Sequence, residues 1–132
     1  MTATAASRQA LGAYGETVAA RHLVEQGMTL LERNWRCPVG EVDLVLREGH
    51  VLVVGEVKTR AGELGGSPHE AITPAKLERL QRLGEEWQVA HGPRLPEVRV
   101  DLVAVRLAAR GAAEALPVIG VGHSLGGGVA NA

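Results

Sequence analysis

Glu41, Asp43, Glu56 and Lys58 lie within one short stretch, Gly40 to Arg60, that reads as two strands joined by a tight turn. Apolar residues alternate with Glu41 and Asp43 in the first strand, and the second is an apolar run ending in Glu56-Val57-Lys58. Period-two alternation marks a half-buried strand. Acidic residues are poor strand formers and unfavourable to bury, so three of them here need a chemical reason. Carboxylates gathered within a few ångströms repel one another unless a proton or a cation sits between them. Such oxygen ligands suit Mg2+ or Mn2+, which bind through one or two carboxylates and keep water for the rest. A metal held that way polarises a phosphoryl oxygen and lowers the pKa of a bound water. Lys58, two residues past Glu56 and so on the same face, can orient that water or stabilise charge on the phosphate. The chemistry implied is metal-assisted phosphodiester hydrolysis.

The pairing of the two strands can be derived on paper. A two-residue loop at Glu48-Gly49 uses the glycine for the positive φ that hairpin turns favour. Arg47 then faces His50, Leu44 faces Val53, Glu41 faces Glu56, and Asp43 lies diagonal to Glu56. Val42, Leu44, Leu46, Val51, Val53 and Val57 fall on one face; Glu41, Asp43, Arg47, His50, Glu56 and Lys58 fall on the other. A loop one residue longer would put Asp43 and Glu56 on opposite faces.

Other elements must hold this hairpin in place. Residues 7–26 read as a helix, capped by Ser7 and stopped by Gly27. Glu16, Ala19, Ala20 and Leu23 share one stripe of it, with Gly12 on the same side to permit close packing on a sheet. An acid on a packed face makes Glu16 a site candidate. Residues 28–35 read as the first strand. Arg33-Asn34-Trp35-Arg36 sets two cations around an indole, which can hold phosphate and stack on a base, or can cap the core at a strand end. Cys37-Pro38-Val39-Gly40 is a turn.

After the hairpin, residues 61–66 form a glycine-rich loop without the Gly-Lys-Ser/Thr ending of a P-loop. Ser67-Pro68-His69-Glu70 has the signature of a helix start. Thr73-Pro74 starts a further helix that runs to about Ala90, with Leu77, Leu80, Leu83 or Gly84, and Trp87 as its buried stripe. Lys76, Arg79 and Arg82 project from it, as a phosphate-contacting edge or as a solvated face. Residues 97–106 read as the last strand, in which Asp101 is expected to be structural and to pair with an arginine. In the tail, Gly122-His123-Ser124-Leu125-Gly126 fits the nucleophile-elbow pattern. The acid and histidine of that hydrolase type must follow the serine, and the six residues after Gly126 supply neither.

Asp43, a gap, then Glu56-Val57-Lys58 resembles the PD-(D/E)xK nuclease superfamily, which has the restriction-endonuclease-like fold. Gly15-Glu16, Arg33-Asn34-Trp35-Arg36, Gly40-Glu41-Val42-Asp43-Leu44-Val45 and Glu56-Val57-Lys58-Thr59-Arg60 together are similar to the YraN-like family of small uncharacterised bacterial proteins, over roughly residues 11–106. The resemblance implies an α/β fold with a mixed β-sheet, helices packed on it and the order αβββαβ. It implies an endonuclease-like domain over 1–106; the tail, 107–132, departs from the family and is expected to be a peripheral or poorly ordered extension. Catalysis would fall to Glu16, Asp43, Glu56 and Lys58, with Glu16, Asp43 and Glu56 holding Mg2+ (or Mn2+) and Glu41 supporting them. Arg33, Trp35, Arg36, Arg60 and Lys76 would contact nucleic acid, DNA or a branched form of it. Many nucleases of this fold pair up to cut two strands, so the resemblance admits a homodimer. The alternative is a module that keeps the fold and binds nucleic acid without cutting it. Gly55 speaks for that alternative, because the resembled pattern has a bulkier apolar residue just before Glu-Val-Lys.

Composition narrows the classes. A chain of 132 residues fits one domain with a modest core. The net charge of −1 excludes a polycation, so any nucleic-acid contact uses a local basic patch. Cys37 is the only cysteine, which rules out an internal disulfide and fits a cytoplasmic location. Residues 1–6 lack the basic start and apolar core of a signal peptide, and no stretch approaches the ~20 apolar residues of a membrane span. Lysine occurs only at Lys58 and Lys76, against twelve arginines. The five histidines show no metal-ligand spacing.

Overall fold

The protein is described by a computed structural model covering residues 5–61, 72–92, 94–107, 115–118, 121–124 and 129–131. The chain order is α1 (Ala5–Glu25), β1 (Thr29–Cys37), β2 (Gly40–Glu48), β3 (Val51–Ala61), α2 (Pro74–His91) and β4 (Glu97–Leu107), then β5 (Ala115–Val118), β6 (Val121–Ser124) and β7 (Val129–Asn131). The expected order αβββαβ is therefore the order found, and it is that of a restriction-endonuclease-like core. The strands form one sheet in the order β1-β2-β3-β4-β6-β7, with β5 also paired to β4. β2 runs antiparallel to both of its neighbours, β1 and β3, while β3 and β4 are parallel across the α2 crossover, so the sheet is mixed. The glycine-rich segment 62–66 and the helix start at 67–70 lie outside the described residues. So do Leu125 and Gly126; Ser124 itself belongs to β6. No described helix is long and apolar enough to cross a membrane.

The sheet is apolar on both faces, which period-two alternation alone does not convey. On one face Ala19, Ala20 and Leu23 of α1 pack on Leu44, Leu46, Val53, Val103 and Val105. On the other, Leu80, Leu83 and Trp87 of α2 pack on Val45, Leu52, Val54, Val98 and Val100. Sheets covered by helices on both sides read as near-continuous apolar runs, as Val51–Val54 does. The face expected to be polar is therefore buried at Val45, Leu52 and Val54, and polar only at its two ends: Arg47 and His50 at the turn, Asp43 and Glu56 at the other.

Two glycines allow the helices to come close. A Cβ on Gly84 of α2 would lie 2.7 Å from Val98 Cγ1 and 2.8 Å from Val54 Cγ2. A Cβ on Gly15 of α1 would lie 2.0 Å from Thr59 Oγ1. Gly12, expected to make the close approach of α1, has open space where its Cβ would stand. Ala19, Ala20 and Leu23 of the expected stripe are buried, but the close contact falls one residue before Glu16 rather than four.

The β2–β3 register differs from the expected one. Glu48 pairs with Val51, Arg47 with Leu52, Leu46 with Val53 and Leu44 with Gly55. The loop is Gly49-His50, with Gly49 at φ 60°, rather than Glu48-Gly49. Each partner moves along by two residues, which preserves parity, so Leu44, Leu46 and Val53 stay together on the α1 side as expected. Val42, expected with them, packs instead with the α2-side cluster, beyond the last β2–β3 pair. The slip brings Asp43 closer to Glu56 than the diagonal placement did.

Candidate active site

The site lies where the sheet forks. β2 pairs with β3 only as far as Leu44–Gly55, although β2 continues to Gly40 alongside β1 and β3 continues to Ala61 alongside β4. Past Gly55 the Val57 amide donates to Asp43 Oδ2, at 2.9 Å, in place of a strand carbonyl. Gly55 marks the last close pair: an added Cβ would lie 3.1 Å from Leu44 Cβ. A larger residue there would press the two strands apart at the start of the fork, which gives this glycine a packing role.

Asp43 and Glu56 line one cleft of about 500 Å3, with Val39, Gly40 and Glu41 on one side and Lys76, Arg79 and Leu80 of α2 on the other. Burial pushes the Asp43 carboxyl up from 3.8 to about 7; the Val57 amide opposes the shift, and the charges of Glu56 and Glu16, with a hydrogen bond to Glu56, add to it. A carboxylate held among other carboxylates in a partly dry place is one that a cation would relieve. The Lys76 ammonium supplies a cation, 2.6 Å from Glu56 Oε2. Glu16 approaches from α1, its side chain 16 % exposed, and faces the Arg33 guanidinium at 3.6 Å.

The remaining expected residues are distributed as follows. Glu41 lines the cleft mouth and pairs with Arg36 at 3.0 Å, both side chains well exposed. Lys58 follows Glu56 on β3 but is not part of the cleft lining. Arg33 turns onto α1, donating to Thr17 Oγ1 at 3.1 Å and to the Ala13 carbonyl at 3.3 Å, so it ties the helix to β1. Trp35 packs against the core under α2, edge-on to His91 at 6.0 Å between ring centres. Of its two readings, the core-capping one describes this packing. Arg60 lies near the end of β3. Asp101 pairs with Arg99 through both carboxylate oxygens, at 2.8 and 3.0 Å, as the expected structural pair.

One cluster had no place in the sequence analysis. Glu32 Oε1 accepts from Trp87 Nε1 at 2.8 Å and lies 3.4 Å from His91 Nε2, while Trp87 and His91 stack at 4.3 Å. Trp87 and His91 stand four apart on α2, a spacing that faces them together. Their partner Glu32 comes from the far edge of the sheet, and no local signal points to it.

Carboxylate oxygens are the donor set that Mg2+ or Mn2+ takes, and the Lys76 ammonium stands where such an ion would neutralise Glu56. Among the described residues no three His, Cys, Asp or Glu side chains form a ready cage for an ion. Magnesium needs only one or two carboxylates with waters for the rest, and Asp43 and Glu56 meet that requirement.

Fold and site together define a small α/β protein whose restriction-endonuclease-like core carries a carboxylate pair at the fork of its sheet. The profile of the uncharacterised protein family UPF0102 matches residues 15–105. The chain is 56 % identical over 121 residues to a UPF0102 protein of Nocardioides sp., covering 92 % of this chain and 98 % of that one. It is 53 % identical over 116 residues to a UPF0102 protein of Kineococcus radiotolerans (87 % and 95 % covered). It is 57 % identical over 108 residues to one of Streptomyces coelicolor (80 % and 83 % covered). The chain belongs to the UPF0102 family, the YraN-like proteins.

Proposed function

We propose that the protein is a metal-dependent endonuclease that hydrolyses phosphodiester bonds of DNA or of a branched nucleic acid, and that it acts in the cytoplasm. The observation that carries this reading is the meeting of Asp43 and Glu56 in a cleft at the fork of the sheet. Asp43 and Glu56, with Glu16 behind them, would hold Mg2+ or Mn2+, which supplies Lewis acidity and an activated water. The chain's own part is to keep Asp43 oriented by the Val57 amide and to keep Glu16 beside the pair through Arg33. Lys76 and Arg79 bring positive charge to the cleft wall, where a phosphate can be held. A second reading, a nucleic-acid-binding module without cleavage, draws support from Lys58, which stands outside the cleft lining.

The test is Mn2+ or Mg2+ calorimetry on the wild type and on Asp43→Asn, with cleavage of branched and single-stranded DNA on the same samples. The expected result is binding and cleavage in the wild type, with a loss of tenfold or more in both for the variant. Binding without cleavage on every substrate favours the module. No metal binding with or without DNA removes the mechanism. Metal affinity should also climb with pH up to about 7 and then level, because Asp43 must lose its proton before it can ligate.

A further inference from the structure

We propose that Lys76 and a divalent cation compete for Glu56, so that Lys76 sets the metal concentration at which the site fills. This rests on the metal-binding reading above and concerns how that site is regulated. Three observations carry it. The Lys76 Nζ to Glu56 Oε2 contact of 2.6 Å is short for an ion pair, and both side chains are largely shielded, at 30 % and 14 % exposure. The lysine's backbone is fixed: its amide donates to the Thr73 side chain at 3.1 Å, Pro74 opens the helix, and Leu80, Leu83 and Trp87 anchor the helix in the core. Lys76 also lines the same cleft as Asp43 and Glu56.

An ammonium can only donate, and it occupies the carboxylate lone pairs that a metal would need. The two positive charges also repel, so Glu56 cannot serve both at close range. A metal bound through Oε2, or through both oxygens, therefore requires the ammonium to leave, and one held at Oε1 alone is weakened by the repulsion. The flexible four-carbon stem allows that movement without displacing α2. The displaced ammonium stays at the cleft wall, where a substrate phosphate is its natural new partner. Thr73, Pro74 and Lys76 thus form a device at the start of α2 that keeps the carboxylates neutralised until metal and a polyanion arrive.

The experiment is Mn2+ calorimetry at one pH on wild type, Lys76→Met, Lys76→Gln and Lys76→Arg, each first checked for a cooperative thermal transition. The two neutral variants provide for the failure of either to fold. The expected result is Mn2+ binding about tenfold tighter in the neutral variants than in wild type, equivalent to about 1.4 kcal/mol, with Lys76→Arg near wild type. Equal or weaker binding in the neutral variants overturns the competition and leaves the metal reading standing. No Mn2+ binding in any of the four proteins overturns both.

Discussion

Replacing Asp43 with asparagine is expected to make the metal-free protein more stable at pH 8, by about 1–2 kcal/mol. The carboxyl is held at about 7 in the fold, chiefly by burial, against 3.8 for the free group. Below pH 4 it is protonated whether the chain is folded or not. Between pH 4 and 7 the folded state keeps a proton that the unfolded state has lost, so stability falls as pH rises through that window and is flat above it. Asparagine has no charge to bury, can still accept from the Val57 amide, and can donate to Glu56. The full linkage value would be larger, but water reaches the cleft and screens the charge. Urea unfolding of both proteins at pH 5 and pH 8 in the presence of a chelator is the measurement. The gap should open on going to the higher pH. A variant that is less stable at pH 8 would remove the claim that holding this charge half-buried, beside other carboxylates, costs the fold stability. An acid whose removal stabilises the fold must be kept for something other than stability.

Gly15→Ala is expected to lower stability by about 1–3 kcal/mol, whereas Gly12→Ala, in the same helix, should be neutral or stabilising. The added carbon at Gly15 would meet Thr59 Oγ1 at 2.0 Å and Thr59 Cβ and Cγ2 at 2.9 Å. Rotating the hydroxyl away does not move Cβ, so α1 must lift from β3, and Glu16, the next residue, goes with it. Gly12 has nothing within 4 Å, and alanine there only improves helix propensity. Thermal unfolding of both variants decides the point. Gly15→Ala melting at or above the wild type would mean that the helix does not depend on this contact. Thr59→Gly, which removes all three atoms, should recover part of the loss.

These two positions show what the sequence can and cannot convey. The faces of the hairpin were legible because alternation fixes parity, and parity put Asp43 and Glu56 on one side. The turn was not legible, because loops at Glu48-Gly49 and at Gly49-His50 are both two residues long and preserve parity. What decides between them is the close Leu44–Gly55 pair, a contact between strands. The start of α2 and the ends of both helices followed from Thr73, Pro74 and the glycines, since capping is local chemistry; the start of α1 did not, because the helix begins at Ala5 and Ser7, expected as its cap, lies within it. The partner of Glu56 was hidden for the opposite reason. Lys76 lies twenty residues on, and only the seating of α2 on the sheet, set by Leu80, Leu83 and Gly84, brings it there. The same holds for Arg33, whose pairing with Glu16 depends on where α1 crosses β1.

The Val57 hydrogen bond gives Asp43 a second duty, in the scaffold itself. At the fork the ladder between β2 and β3 is continued by a side chain, so the main chain of a central strand leans on a residue proposed for chemistry. Alanine and asparagine at this position are therefore different experiments. Asparagine removes the charge and keeps the acceptor. Alanine removes both and leaves a half-buried amide without its partner, a loss of about 1–3 kcal/mol. A scan that relied on alanine alone would record Asp43 as a structural residue and overlook the ionic strain it carries.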